Sequence, residues 1–158
     1  MVGKHYGVVS LEILTSYNGI DFLQGIIEGR HPHPPMCKTI GFHLVEVANG
    51  RAVFEGAPRY EHYNPIGTVH GGFAATLLDS ALACAIFSTM QAGEAWTTLE
   101  LKLNLVRALT EDTGPVRAEG RIIYRGRTVA TSEGDLKDAQ GRLYAHATTT
   151  CMIFPAKA

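Results

Sequence analysis

Hydrophobic residues in the first thirty positions recur at intervals of three and four, from Ile13 to Ile27. This spacing places them on one face of a helix, so it predicts one or two short amphipathic helices that end at Gly29. The following residues 31–35 read His-Pro-His-Pro-Pro and cannot continue a helix. They predict a solvated linker on the surface, and two imidazoles without a third ligand nearby do not predict a metal site.

The middle of the chain changes from short apolar runs to one long apolar segment. Runs at residues 42–47 and 52–54 flank Asn49 and Gly50, a pair typical of a β-hairpin turn. Residues 71 to about 90 are rich in alanine and leucine and poor in β-branched side chains. Because this segment is apolar nearly all round, it predicts a buried helix.

The last third of the chain has the period of β-strands. Apolar and polar residues alternate from residue 97 to 105, and the parity places Thr97 with Leu99 and Leu101 on the face toward the helix. Extended segments at 116–124, 128–137 and 142–154 follow, joined by short turns. The pattern predicts an α+β fold in which about six antiparallel strands wrap around one long central helix, with a helical segment before them.

Composition narrows the class of protein. The length of 158 residues suits one domain, and a net charge of -1 gives no electrostatic footprint for nucleic acid. Three scattered cysteines without a CxxC pair indicate a reducing compartment. No stretch approaches the ~20 apolar residues of a membrane span, and no leader pattern opens the chain, so we expect a cytoplasmic protein without membrane contacts.

The segment from Asn64 to Gly72, which reads Asn-Pro-Ile-Gly-Thr-Val-His-Gly-Gly, carries the first sign of chemistry. Paired glycines at the first turn of a buried helix leave backbone N–H groups uncovered at the positive end of the helix dipole. Such a position suits an oxyanion or a polarised carbonyl. The alternative is that Gly71 and Gly72 only allow the helix to pack closely on the sheet.

Asp79 is the second sign, because its neighbours one turn away are nearly all apolar. A buried carboxylate is costly without partners and is a candidate base or nucleophile. The alternative is that Asp79 caps a new helix beginning at Ser80. On one helix, Gly71 and Asp79 would lie ~12 Å apart and could not serve one carbonyl carbon. If both act on the same bond, Gly71 of one subunit must face Asp79 of another across a two-fold axis.

Together, the Asn-Pro-x-Gly-Thr-x-His-Gly-Gly motif and the aspartate eight residues after Gly71 resemble the hotdog-fold acyl-CoA thioesterases of the phenylacetate-degradation type. The resemblance covers most of residues 41–154. The N-terminal helix and proline-rich link at residues 1–35 are also similar to members of this group. The resemblance implies a single hotdog domain over residues 1–158 that forms dimers, which then pair into tetramers.

The resemblance also implies site residues. The Gly71 N–H polarises the thioester carbonyl, Asp79 of the neighbouring subunit is nucleophile or general base, and Asn64 and His70 orient water and the thioester. Thr97 assists them, although it also fits an ordinary strand residue. No metal or separate cofactor is implied, since coenzyme A is part of the substrate.

Coenzyme A contacts are expected at the turn Arg125-Gly126-Arg127 and at Asn104. Two guanidinium groups beside a glycine suit phosphate, although a solvated basic hairpin has the same composition. Two other functions remain open: a hotdog dehydratase or hydratase, and a non-catalytic acyl-CoA-binding module. The acyl group is not identified by the sequence. Its pocket is expected to draw on two subunits, with Phe87, Met90 and Trp96 as candidates.

Overall fold

A computed structural model describes residues 4–156 and confirms the predicted α+β hotdog architecture. Three residues at the start and two at the end, which the predicted domain included, lie outside this range. The helices are α1 Leu11–Thr15, α2 Gly19–Ile27, α3 Pro35–Ile40 and α4 Gly71–Phe87. The strands are β1 Phe42–Ala48, β2 Arg51–Gly56, β3 Glu94–Leu105, β4 Val116–Arg125, β5 Val129–Asp138 and β6 Leu143–Pro155. All six form one antiparallel sheet in the order β1-β2-β4-β5-β6-β3.

Helix α4 forms the centre of the core, and the sheet wraps around it. Leu77, Leu78 and Leu82 are fully buried, as the apolar composition of the segment predicts. The helix ends at Phe87, three residues before the predicted limit near residue 90. It is fixed to the sheet by a polar contact as well, because the Ser132 hydroxyl donates a hydrogen bond of 3.0 Å to the Leu82 carbonyl.

Two paired glycines, Gly120 of β4 and Gly134 of β5, lie where backbones pack closely: Gly120 against α4 and Gly134 against β4. A Cβ atom on Gly120 would stand 2.4 Å from the Ala81 carbonyl oxygen of the helix. A Cβ atom on Gly134 would stand 2.3 Å from the Glu119 carbonyl oxygen. Because both obstacles are backbone atoms in regular structure, side-chain rotation cannot relieve them.

We therefore expect Gly120→Ala to destabilise the fold by about 3 kcal/mol or more, through overpacking between helix and sheet. For a chain of this size, that loss lowers the Tm by roughly 6–12 °C, measured by thermal unfolding. The matched control is Gly7→Ala, because its Cβ atom would meet Pro32 at an ordinary 3.6 Å. A Tm for Gly120→Ala equal to that of the control would contradict this account of the packing.

Strand β3 lies at the edge of the sheet and carries a bulge that corrects one prediction. Its register against β6 shifts between Thr98 and Glu100, so one extra residue enters β3 at this point. Counting back from Leu101 across the bulge therefore gives the wrong face for Thr97, which is exposed. Thr98, paired with the buried Cys151, occupies the inner face instead.

The N-terminal segment confirms one prediction and corrects another. Helices α1 and α2 lie where the apolar spacing predicts them. The predicted solvated linker is wrong, because His31 and His33 are only 8% and 5% exposed. The His31 ring stacks on Phe22 at a centroid distance of 4.5 Å, and the short helix α3 begins directly afterwards at Pro35. Proline is well suited to the first helical position, which explains a helix that the proline-rich composition concealed.

Candidate active site

The start of α4 exposes one unused backbone donor. His70 is the N-cap, and its Nδ1 accepts a hydrogen bond of 2.9 Å from the Gly72 N–H. The Phe73 N–H donates to the His70 carbonyl at 3.0 Å. Among residues 4–156, the Gly71 N–H forms no hydrogen bond. This N–H therefore remains available, at the positive end of the helix dipole, for an oxygen atom of a ligand.

Asn64 and His70 flank this donor. Asn64 Oδ1 accepts hydrogen bonds from the backbone N–H groups of Ile66 and Thr68, at 3.1 and 3.2 Å, which folds the loop back on itself. The His70 Nδ1 is an acceptor, so the neutral imidazole carries its proton on Nε2, where it can donate to a ligand. Asn64, His70 and Gly71 line one cavity of about 300 Å³.

The packing alternative for the paired glycines is also partly correct. A Cβ atom on Gly71 would stand 2.6 Å from Leu105 Cδ1, and one on Gly72 would stand 2.9 Å from His70 Nδ1. Glycine at these positions thus allows close packing and, at Gly71, leaves the N–H uncovered. The two explanations do not exclude each other.

Asp79 lies midway along α4 and is half-buried beside the fully buried Leu78 and Leu82. Because the helix is continuous from Gly71 to Phe87, Asp79 does not cap a new helix at Ser80. Its Oδ1 accepts a hydrogen bond of 3.3 Å from the Thr98 hydroxyl. Thr98, and not the predicted Thr97, is therefore the strand residue whose hydroxyl contacts Asp79.

Thr98 is the site residue that the sequence analysis missed. Two adjacent threonines precede the bulge, and strict alternation selects the wrong one. No residue in the segment marks the bulge itself, since Leu99 fits an ordinary strand. Only the pairing with β6 separates the exposed Thr97 from the Thr98 that contacts Asp79.

Asp79 does not line the cavity at the start of α4. The helical rise separates it from Gly71 by ~12 Å along the axis, as the sequence predicts. One chain by itself therefore presents two candidate half-sites: the unbonded N–H of Gly71 in its cavity, and the Asp79 carboxylate, which accepts a hydrogen bond from Thr98.

The cysteine thiols do not offer a competing nucleophile. Burial raises the pKa of Cys37 to about 11 and that of Cys84 to about 12. Burial also raises the pKa of Cys151, whose Sγ lies 3.9 Å from the Thr98 hydroxyl. All three thiols thus stay protonated near neutral pH, and the thiolate that nucleophilic attack requires is scarce.

The candidate coenzyme A residues neither line the cavity at the start of α4 nor form a hydrogen bond with Asp79. Arg125, Gly126 and Arg127 form the turn between β4 and β5, as predicted. Arg125 makes an ion pair of 2.7 Å with Glu94, whereas Arg127 is exposed and has no ion pair within the described part of the chain. Asn104 is exposed on the edge strand β3, opposite His146 of β6.

The six-stranded antiparallel sheet wrapped around the long central helix α4 is the hotdog fold. The family model of the thioesterase superfamily matches residues 66–145. The chain belongs to this superfamily, which is a family of thioester hydrolases.

Related proteins agree with this assignment. Human acyl-coenzyme A thioesterase 13 is 31% identical over 65% of this chain and 72% of its own. A protein of Saccharolobus solfataricus named as an esterase is 30% identical over 76% of this chain and 84% of its own. A solved structure described as a phenylacetic acid degradation-related thioesterase, from Ralstonia eutropha JMP134, is 30% identical. It covers 83% of this chain and 98% of its own, with a TM-score of 0.75.

Between residues 4 and 156, none of the helices has the length and apolar character that crossing a membrane requires.

Proposed function

We propose that this protein is an acyl-CoA thioesterase that hydrolyses a thioester to free coenzyme A and a carboxylic acid. The observation that carries the proposal is the unbonded Gly71 N–H at the start of α4, in a cavity that Asn64 and His70 also line. This arrangement suits a carbonyl oxygen that becomes negatively charged in a tetrahedral transition state. Membership of the thioesterase superfamily supports the same chemistry.

In the proposed reaction, the thioester carbonyl oxygen accepts a hydrogen bond from Gly71. If Asp79 of a second copy attacks the carbonyl carbon, the C–S bond breaks to leave an anhydride on Asp79, which water then hydrolyses. If Asp79 instead removes a proton from water, the water attacks the carbonyl carbon and the C–S bond breaks directly. In both routes water supplies the hydroxyl group of the acid, and its other proton goes to the sulfur, which leaves as the thiol of coenzyme A. The Thr98 hydroxyl orients the carboxylate through its hydrogen bond of 3.3 Å. His70 and Asn64 lie where they can orient the thioester or the water.

The edge of the sheet favours a dimer in which the two half-sites meet. Strand β3 is twelve residues long and has a sheet partner on one side only within residues 4–156. Leu99 and Leu105 are 57% and 55% exposed along it. A long unpaired strand with exposed leucines is a template for pairing with a second copy.

The positions of Gly71 and Asp79 relative to strand β3 are compatible with this pairing. Gly71 lies beside Leu105, and Asp79 lies beside Thr98. If β3 pairs antiparallel with its copy about a point midway between Thr98 and Leu105, each Leu105 lies opposite the Thr98 of the other chain. Gly71 of one subunit then faces Asp79 of the other, so each dimer has two complete sites.

Coenzyme A would be held by cationic and polar groups on the outer rim. Arg127 is the more available guanidinium group for a phosphate, because Arg125 is paired with Glu94. Asn104 lies on the edge strand next to Leu105, which lines the carbonyl-binding cavity. We propose these residues as contacts of the nucleotide and the pantetheine arm, respectively.

The direct test is release of free thiol from a panel of acyl-CoA esters by the purified protein. We expect turnover with at least one ester, and no hydration of 2-enoyl-CoA esters under the same conditions. Saturable binding of the esters without thiol release would instead support the non-catalytic module. Hydration of the enoyl esters would support the dehydratase or hydratase.

A further inference from the structure

An apolar cavity of about 290 Å³ lies between the N-terminal segment and the far half of α4. Residues 7–9 and Leu14 form its N-terminal wall, and Phe22 of α2 lines it beside them. Phe87 of α4 and Trp96 of β3 form the opposite wall, stacked on each other at a centroid distance of 4.0 Å. Met90, the third residue that the sequence proposed for an acyl pocket, is buried but does not line this cavity.

The cavity lies on the side of Asp79 that faces away from Gly71. Cys84 and Phe87, which line it, follow Asp79 on the same helix by ~7.5 and ~12 Å along the axis. Trp96 precedes Thr98 by two residues on the same face of β3, a separation of ~6.6 Å along the strand. Along the helix axis, the cavity therefore begins about 1.4 turns beyond the carboxylate. A group attached to a carbonyl at Asp79 could extend into it.

The lining contains few polar groups. The polar atoms that side chains contribute are the Cys84 thiol and the Trp96 indole N–H, and the rest of the lining is aliphatic, aromatic or proline. A cavity of ~150 Å³ can hold one benzene molecule, so this one has room for an apolar group about twice that size. A hydroxyl group carried into the cavity would find the Trp96 indole N–H as its one strong side-chain donor and no strong side-chain acceptor for its own proton.

We propose that this cavity binds the acyl group of the thioester and selects unsubstituted, apolar acyl groups of medium length. The proposal rests on the thioesterase function and adds its substrate class. The N-terminal wall, at residues 7–35, lies outside the part of the chain that matches the superfamily model. Specificity in this proposal thus depends on the N-terminal segment as well as on α4 and β3.

Leu14→Phe tests the proposal, because Leu14 is half-buried and lines the cavity. The control is Ile13→Phe. Ile13 is the adjacent residue, is 46% exposed and does not line the cavity. We expect Leu14→Phe to lower the ratio of kcat/KM for octanoyl-CoA to that for acetyl-CoA at least ~10-fold, since pocket volume discriminates by this order. The control should stay within about twofold of the wild-type ratio.

Two further measurements do not use the Leu14→Phe variant, so they hold even if that variant fails to fold. The wild-type protein should hydrolyse 8-hydroxyoctanoyl-CoA at least ~10-fold less efficiently than octanoyl-CoA, because the hydroxyl group at the chain end reaches the cavity and loses its water partners there. Trp96 is the only tryptophan in the chain, so its fluorescence reports on the cavity. Octanoyl-CoA should change this fluorescence saturably in Asp79→Asn, whereas coenzyme A alone should not.

The results distinguish failure of the acyl-cavity proposal from failure of the thioesterase proposal. If the wild type hydrolyses octanoyl-CoA and Leu14→Phe retains the wild-type preference, the cavity does not bind the acyl group, although the thioesterase function stands. If no ester is hydrolysed, the thioesterase function fails. Trp96 fluorescence of the wild type then decides alone: a saturable response to octanoyl-CoA that Leu14→Phe abolishes supports the cavity as an acyl site, and no response overturns it.

Discussion

Asp79→Asn is expected to lower kcat for the best acyl-CoA ester at least ~100-fold while KM changes little. The amide is nearly the same size as the carboxylate and keeps an oxygen that can accept the hydrogen bond from Thr98. The half-buried site and the helix should therefore remain intact. What disappears is the negative charge, and with it the ability to attack the carbonyl or to activate water. Thiol release under saturating ester measures the effect.

The two threonines beside the bulge provide the control. Thr98→Val removes the hydrogen bond to Asp79, and we expect a loss of ~10-fold in kcat that Thr98→Ser restores in part. Thr97→Val changes the exposed neighbour on the other face of β3. A larger loss for Thr97→Val than for Thr98→Val would contradict the assignment of Thr98. An Asp79→Asn variant with more than about a tenth of wild-type turnover would remove Asp79 from the chemistry.

The architecture was predictable because local signals agreed with the tertiary packing. The α4 segment is apolar nearly all round and has no polar face that could point to solvent. It is therefore stable only where it is buried. Asn49 and Gly50 fixed the first hairpin, and Gly50 adopts the positive φ of +76° that such a turn needs. Where helix propensity, hydrophobic period and turn residues all agree, the fold class has few alternatives.

Features that depend on contacts between distant segments were not predictable. The bulge in β3 exists only in relation to β6, and it decides which threonine reaches Asp79. His31 is buried because Phe22 offers a stacking surface, although its proline-rich surroundings suggest a solvated turn. The ion pair between Arg125 and Glu94 joins residues 31 positions apart and leaves Arg127 as the freer guanidinium group.

The second large effect is expected from Gly71→Pro, which removes the donor proposed to polarise the thioester carbonyl. Gly71 is the first residue of α4, the position where proline is tolerated best. His70 before it has φ -59° and ψ 137°, which is compatible with a following proline. The helix should therefore form without the N–H. Loss of one such donor lowers kcat by ~10²–10³-fold, measured as thiol release under saturating ester.

Gly71→Ala is the matched control, because it retains the N–H and adds the same Cβ atom. That atom would meet Leu105 Cδ1 at 2.6 Å, the end of a flexible and exposed side chain that can move aside. We expect a loss below ~10-fold for alanine. Equal losses in Gly71→Pro and Gly71→Ala would mean that space at the helix start limits turnover, and that the N–H does not.

Combining the two large-effect variants tests whether the half-sites meet between subunits. A dimer with one Gly71→Pro subunit and one Asp79→Asn subunit contains one doubly altered site and one site with both native residues. If Gly71 and Asp79 of different chains share a carbonyl, this mixed dimer recovers about half of the wild-type kcat, although each variant alone is nearly inactive. If both residues act within one chain, every site retains one defect and the mixed dimer stays inactive. Differently tagged subunits, co-expressed and purified through both tags, allow the two cases to be separated.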